Sequence, residues 1–158
     1  MKILIAVDGS PCSQAAVRDV SMRPWPEGTE VELLTVISTR MPFIPEPTGV
    51  LLAAHETLLR EARLNAPDLL AHASATLTQA QPTLVVTTKT VDGHAGKAIV
   101  DEAAAWGADL IVLGAHGYNA ASRLFLGSVS QAVVQHAGCS VEVARSPRCL
   151  EGHVPAAA

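Results

Sequence analysis

At 158 residues the chain holds one domain with a substantial core and little room for a second, since domains usually run roughly 100 to 150 residues. A hydrophobic fraction of 49% against 16% charged residues excludes a solvated, disordered chain. A net charge of -4, with 11 Lys and Arg, gives no basic stripe to neutralise a nucleic-acid backbone.

The amino terminus, Met1-Lys2-Ile3-Leu4-Ile5, passes into a strand pattern without the charged region, long apolar run and cleavage site of a signal peptide. Ile3 to Val7 is a buried strand, closed by the turn residues Asp8-Gly9-Ser10-Pro11. Ser10 or Ser13 caps a helix that carries Ala15, Ala16 and Val17 and reaches about Met22; Pro24 and Pro26 stop it. Val31 to Ile37 is a second strand, largely apolar on both faces as in the middle of a parallel sheet. The proline-rich stretch Met41 to Pro47 is a loop arching over one end of the sheet. From Val50 to about Ala80 a helical pattern recurs through Leu52, Leu59, Leu70 and Leu77, with a kink or break expected at Pro67.

Leu84 to Val91 predicts the third strand. A helix from about Gly96 to Trp106 follows, with Ile99, Val100 and Ala103 as its core face and Gly107 at its end. Asp109 to Leu113 is the fourth strand, Ser128 to His136 the last helix and Ser140 to Ala144 the closing strand. Strands alternating with helices predict a doubly wound α/β fold on a parallel sheet. Residues 1–147 form the domain and 148–158 a frayed tail. No apolar run approaches the ~20 residues that a membrane-spanning helix needs. Cys12, Cys139 and Cys149 are odd in number and widely spaced, which suits reduced thiols in a cytosol.

In open α/β sheets ligands bind beyond the carboxyl ends of the strands. There, Gly114 and Gly117 let backbone NH groups approach an anion. Gly127 opens the next helix, where Ser128 and Ser130 add hydroxyls to first-turn amides that favour phosphate. Gly93-His94-Ala95-Gly96-Lys97-Ala98 is too short for a P-loop and ends in Ala. No Gly-x-Gly-x-x-Gly follows the first strand, which removes the dinucleotide fingerprint.

The run Gly114-x2-Gly117-x9-Gly127-Ser128-Val129-Ser130 resembles the ATP-binding signature of the universal stress protein family. The resemblance extends from the opening strand to the closing one and implies a five-stranded parallel sheet in the order 3-2-1-4-5 and a homodimer. It implies further that Asp8 meets the ribose or a nearby metal, that Ala6, Val7 and Val36 line the adenine, and that Gly114, Gly117, Gly127, Ser128, Val129 and Ser130 surround the phosphates. The implied ligand is ATP, alone or with Mg or Mn. The closing strand departs from the family's Cys-Pro-Val in reading Cys139-Ser140-Val141-Glu142-Val143. Because that edge builds the family's dimer, Glu142 must either protect the edge or find a cationic partner.

Other residues carry two readings each. His116 is a phosphate donor or a surface histidine, Arg123 a phosphate contact or a solvated side chain, and Cys12 an oxidant sensor or a quiet buried thiol. The remaining histidines, His55, His72, His94, His136 and His153, have no metal-ligand spacing and default to solvent. Trp25, Trp106 and Phe125 are packing residues. No catalytic order of Ser, His and Asp and no carboxylate pair is recognisable. Three functions stay open: a dimeric, nucleotide-dependent regulatory or stress-response protein, a slow ATPase or nucleotide-dependent transferase, and a nucleotide-free interaction module.

Overall fold

Apolar β-branched runs and amphipathic stretches succeed one another along the chain, and each adopts the element its period dictates. The structure is a computed structural model that describes residues 1–39, 49–117 and 126–145. The Met41 to Pro47 loop, Arg123, Phe125, Cys149, His153 and the tail lie outside the described residues. The strands are β1 (Lys2–Ala6), β2 (Glu30–Ser38), β3 (Val85–Gly93), β4 (Leu110–Gly114) and β5 (Ser140–Ala144). Between them run α1 (Pro11–Met22), α2 (Gly49–Ala80), α3 (Ala95–Trp106) and α4 (Ser128–His136). All neighbouring strands are parallel, in the order β3-β2-β1-β4-β5. This is the expected doubly wound α/β sheet.

The central strand explains its own sequence. β1 aligns Ile3 with Val31 on one side and with Leu110 on the other. Its side chains alternate between two cores, so all of Ile3, Leu4 and Ile5 are fully buried. Ile3 and Ile5 join Val17, Val20, Leu70 and Leu77 beneath α1 and α2. Leu4 joins Ile99, Ala103 and Val133 beneath α3 and α4. A strand buried on both faces has no polar alternation to show.

Local chemistry sets the ends. Ser10 caps α1, its Oγ accepting the Ser13 N–H at 3.2 Å, and Pro11 follows at a position whose amide has no helical partner. Gly107 ends α3 in the left-handed region, at φ 73°. Trp25 and Trp106 pack against the two cores as expected, the Trp25 indole N–H donating to the Val20 carbonyl at 2.7 Å.

Two expectations need correction in α2. Of the kink or break expected at Pro67 the break does not occur: the helix continues through it, with Ala66 before it and Leu70, Ala73 and Leu77 after it buried against the core. Only the carboxyl-terminal half of the leucine pattern meets the core. Leu52 is 45% exposed, and Val50, Leu58 and Leu64 also face solvent, because the 32-residue helix, about 48 Å long, extends beyond the sheet it covers.

Glu142 on β5 has found a cation. Its two oxygens meet the Arg23 guanidinium at 2.6 and 2.5 Å, a two-pronged pair that raises the Arg23 pKa, chiefly through the hydrogen bond. With both partners partly exposed, the pair contributes no more than about 1 kcal/mol. It does turn the carboxylate toward α1.

Candidate functional site

The chain reverses direction across the sheet after β3: α3 carries it past β1 to β4. The carboxyl ends of β1 and β4 therefore diverge into a crevice, where doubly wound sheets hold ligands. A cleft of about 440 Å³ opens there. Its wall contains Ala6, Val7, Asp8, Val36, Gly114, Gly117, Gly127, Ser128, Val129 and Ser130, so the structure brings together all ten residues singled out from the sequence.

The floor is built from strand ends. The Val7 N–H donates to the Leu34 carbonyl at 2.9 Å, and the Thr35 hydroxyl donates to the Val7 carbonyl at 3.0 Å. These are the last ties between the β1 segment and β2. Backbone groups two residues apart on a strand point the same way. Val36, two residues beyond Leu34, thus turns its amide and carbonyl toward the space past the end of β1.

One wall joins the start of α1 to the loop after β4. Asp8 Oδ1 accepts the Ser10 N–H at 2.9 Å, and the Ser10 hydroxyl donates to the His116 carbonyl at 3.3 Å. The other Asp8 oxygen faces Gly117, where an added β-carbon would sit 2.7 Å from Oδ2. Gly117 therefore keeps room for the Asp8 carboxylate. Gly114 has a different reason to be glycine: a β-carbon there would lie 2.6 Å from the Cys12 carbonyl carbon and 2.8 Å from the Ser13 nitrogen. The first turn of α1 occupies that space.

The opposite wall is the start of α4. The Gly127 N–H donates to the Ala115 carbonyl at 2.8 Å, and the buried Ser130 hydroxyl donates to the Ala115 and Gly127 carbonyls at 2.9 Å each. Ser130 thus braces the loop with its proton. Among the described residues no side chain caps α4, and Ser128 to Ser130 of its first turn line the cleft.

Reading the sequence alone left out part of the wall. Leu34, Ser38, Ala95 and Ile99 also line the cleft. The rule that placed Asp8 and Gly114 at strand ends reaches Ser38, the last residue of β2, and Ala95, two residues past β3, as well. His116 is only 9% exposed and lines the cleft, so the surface-histidine reading is overturned. Cys12 is buried at 2% exposure, in keeping with a quiet thiol. Burial, and after it the charge of Asp109, push the Cys139 thiol up, away from reactivity. His72, His94 and His136 lie at the surface as expected, whereas His55 is half-buried. No Lys or Arg lines the cleft, and no three His, Cys, Asp or Glu side chains are grouped to hold a metal, among the described residues. Nor is any described helix long and apolar enough to cross a membrane.

The model of the universal stress protein family matches residues 1–145. The chain belongs to the universal stress protein family. A putative universal stress protein of Staphylococcus haemolyticus is 32% identical over 158 residues, 97% of this chain and 89% of that one. Other curated relatives match over shorter stretches, so the chain spans about a third of their length. Among solved structures, the universal stress protein UspA from Lactobacillus plantarum has a TM-score of 0.72 at 29% identity, covering 92% of this chain and 97% of that one. A family member from Arabidopsis thaliana, solved with AMP bound, has a TM-score of 0.64 at 16% identity and covers 94% of each chain. At that identity the likeness is one of fold. Family members have been solved in complex with cAMP and, from Archaeoglobus fulgidus, with dAMP as well.

Proposed function

We propose that this universal stress protein binds ATP in the cleft between β1 and β4 and acts as a nucleotide-dependent regulatory or stress-response protein. The observation that carries the reading is the convergence of Asp8, Val36, the Gly114 to Gly117 loop and the start of α4 on one cleft. Its volume of about 440 Å³ lies within the range usual for small-ligand sites, roughly 300 to 1,000 Å³. The base lies against Ala6, Val7 and the outward amide and carbonyl of Val36, the ribose beside Asp8, and the phosphates on the amides of Ser128 to Ser130 and Gly117. A helix amino terminus favours an anion there. An Mg or Mn ion fits Asp8 as its one carboxylate, with phosphate oxygens completing the shell, as is usual for nucleotide-bound divalent ions. AMP in the Arabidopsis relative supports the ligand class.

The chain acts as a homodimer paired through the β5 edge. β5 pairs with β4 on one side, and Glu142 is drawn onto Arg23, so its carboxylate does not project along the edge where a second strand docks. An open edge is a template for a second strand.

Titration calorimetry with ATP, AMP and GTP, and chromatography of the nucleotide after long incubation, test the reading. ATP binds, Asp8→Ala weakens it by about 10-fold (about 1.4 kcal/mol), and the ATP is recovered intact. Absence of ATP binding at millimolar concentration would sink the proposal, and turnover lost in Asp8→Ala would establish an ATPase instead.

A further inference from the structure

Glu142 sits at the middle of a strand with an open edge. β5 pairs with β4 on one side, and among the described residues no strand pairs with its other edge. Val141 and Val143 turn to the face that holds Val129 and Val133 of α4, and both are only half-buried. Glu142 shares with Ala144 the opposite face, where it meets Arg23 at the end of α1.

The cation is presented from a fixed base. Gln81, just past α2, donates its side-chain amide to the Ser21 carbonyl at 3.0 Å and also to the Arg23 carbonyl. From there the Arg23 guanidinium takes both Glu142 oxygens, at 2.6 and 2.5 Å. The two side chains stay 44% and 29% exposed, so the pair is open to a further group. A guanidinium has more N–H donors than this contact uses.

A second copy meeting this edge about a two-fold axis runs antiparallel to it, and residues then face each other in pairs about a central one. For the whole of Ser140–Ala144 to pair, that central residue is Glu142. Val141 then faces Val143 of the second copy, which covers both valines. Glu142 faces its own counterpart, and like charges directly opposite work against pairing.

On the reading of β5 as the dimer edge, we infer that Arg23 is the residue that makes this edge accept a second copy. One guanidinium from each copy flanks the two facing Glu142 carboxylates, and the four charges close a neutral row across the axis. Without Arg23 the same edge sets two unpaired carboxylates face to face and repels its own kind.

Sedimentation equilibrium of the nucleotide-free protein tests this in wild type, Arg23→Ala and the double variant Arg23→Ala with Glu142→Gln. The exposed pair is worth too little to the fold for either variant to unfold, and a thermal melt of each checks it. Arg23→Ala weakens the dimer about 30-fold at low salt, because the carboxylates are left unpaired in the interface, and high salt narrows the gap. The double variant returns to within about 3-fold of wild type, because no carboxylate remains to repel. Arg23→Ala assembling as tightly as wild type, or a double variant as weak as Arg23→Ala alone, overturns the inference and leaves the dimer standing. A wild type that stays monomeric at millimolar concentration sinks the dimer reading and the role of Arg23 with it.

Discussion

Gly117→Val lowers ATP affinity at least about 100-fold, about 2.7 kcal/mol, with a thermal midpoint within about 2 °C of wild type. The added β-carbon would lie 2.7 Å from Asp8 Oδ2, so the carboxylate must swing away and release the Ser10 N–H it accepts at 2.9 Å. The branched methyls then fill the mouth of the cleft between Asp8 and α4. Stability is spared because Gly117 is exposed and its close neighbour is the end of a side chain able to rotate. Calorimetric titration and melting, run on the same preparation, check both halves. Unchanged affinity would show that the phosphates lie elsewhere.

Gly114→Ala gives the reverse pattern. Here the β-carbon meets backbone, 2.6 Å from the Cys12 carbonyl carbon and 2.8 Å from the Ser13 nitrogen, and a helix turn cannot rotate out of the way. Overpacking of this kind costs about 3 kcal/mol, which lowers the midpoint by about 6 to 12 °C in a domain of this size. Any loss of ATP affinity follows from displacement of α1, which carries Ser10 and Ser13 at its start. A midpoint equal to wild type would mean that α1 sits further from β4 than the structure places it. Two glycines of one motif thus act on different quantities, Gly117 on the ligand and Gly114 on the fold.

Much of the architecture was legible because the chain states it locally. The apolar runs at Ile3 and Leu110 and the turn residues after Val7 mark buried parallel strands, and the spans 128–136 and 140–144 are those of α4 and β5. The misreading of α2 has a physical origin. Helical periodicity reports which side chains share a face, whereas burial depends on whether a partner lies opposite, and beyond Ala66 toward the amino terminus Leu58 and Leu64 are left exposed.

In the cleft, the glycine spacing and the strand-end rule pointed to Asp8, the Gly114 to Gly117 loop and the start of α4, and the family resemblance to Ala6, Val7 and Val36, but the reasons for individual residues were not legible. Gly114 is glycine because of Cys12, about 100 residues away in the chain, and the Ser130 hydroxyl is turned onto the Ala115 carbonyl. Such contacts leave no local pattern. Glu32 is a further case: it falls within a strand read as largely apolar, and its burial at 7% exposure comes from tertiary packing.

Amide spectra of the 15N-labelled protein titrated with ATP test the central claim most directly. The account predicts saturable shifts concentrated at residues 6–8, 36–38, 114–117 and 127–130, with little change along α2. No shifts at millimolar ATP, or shifts centred instead on a second groove, lined by Ala71 and Ser74 of α2 and by Thr88 and Thr90 of β3, would contradict it.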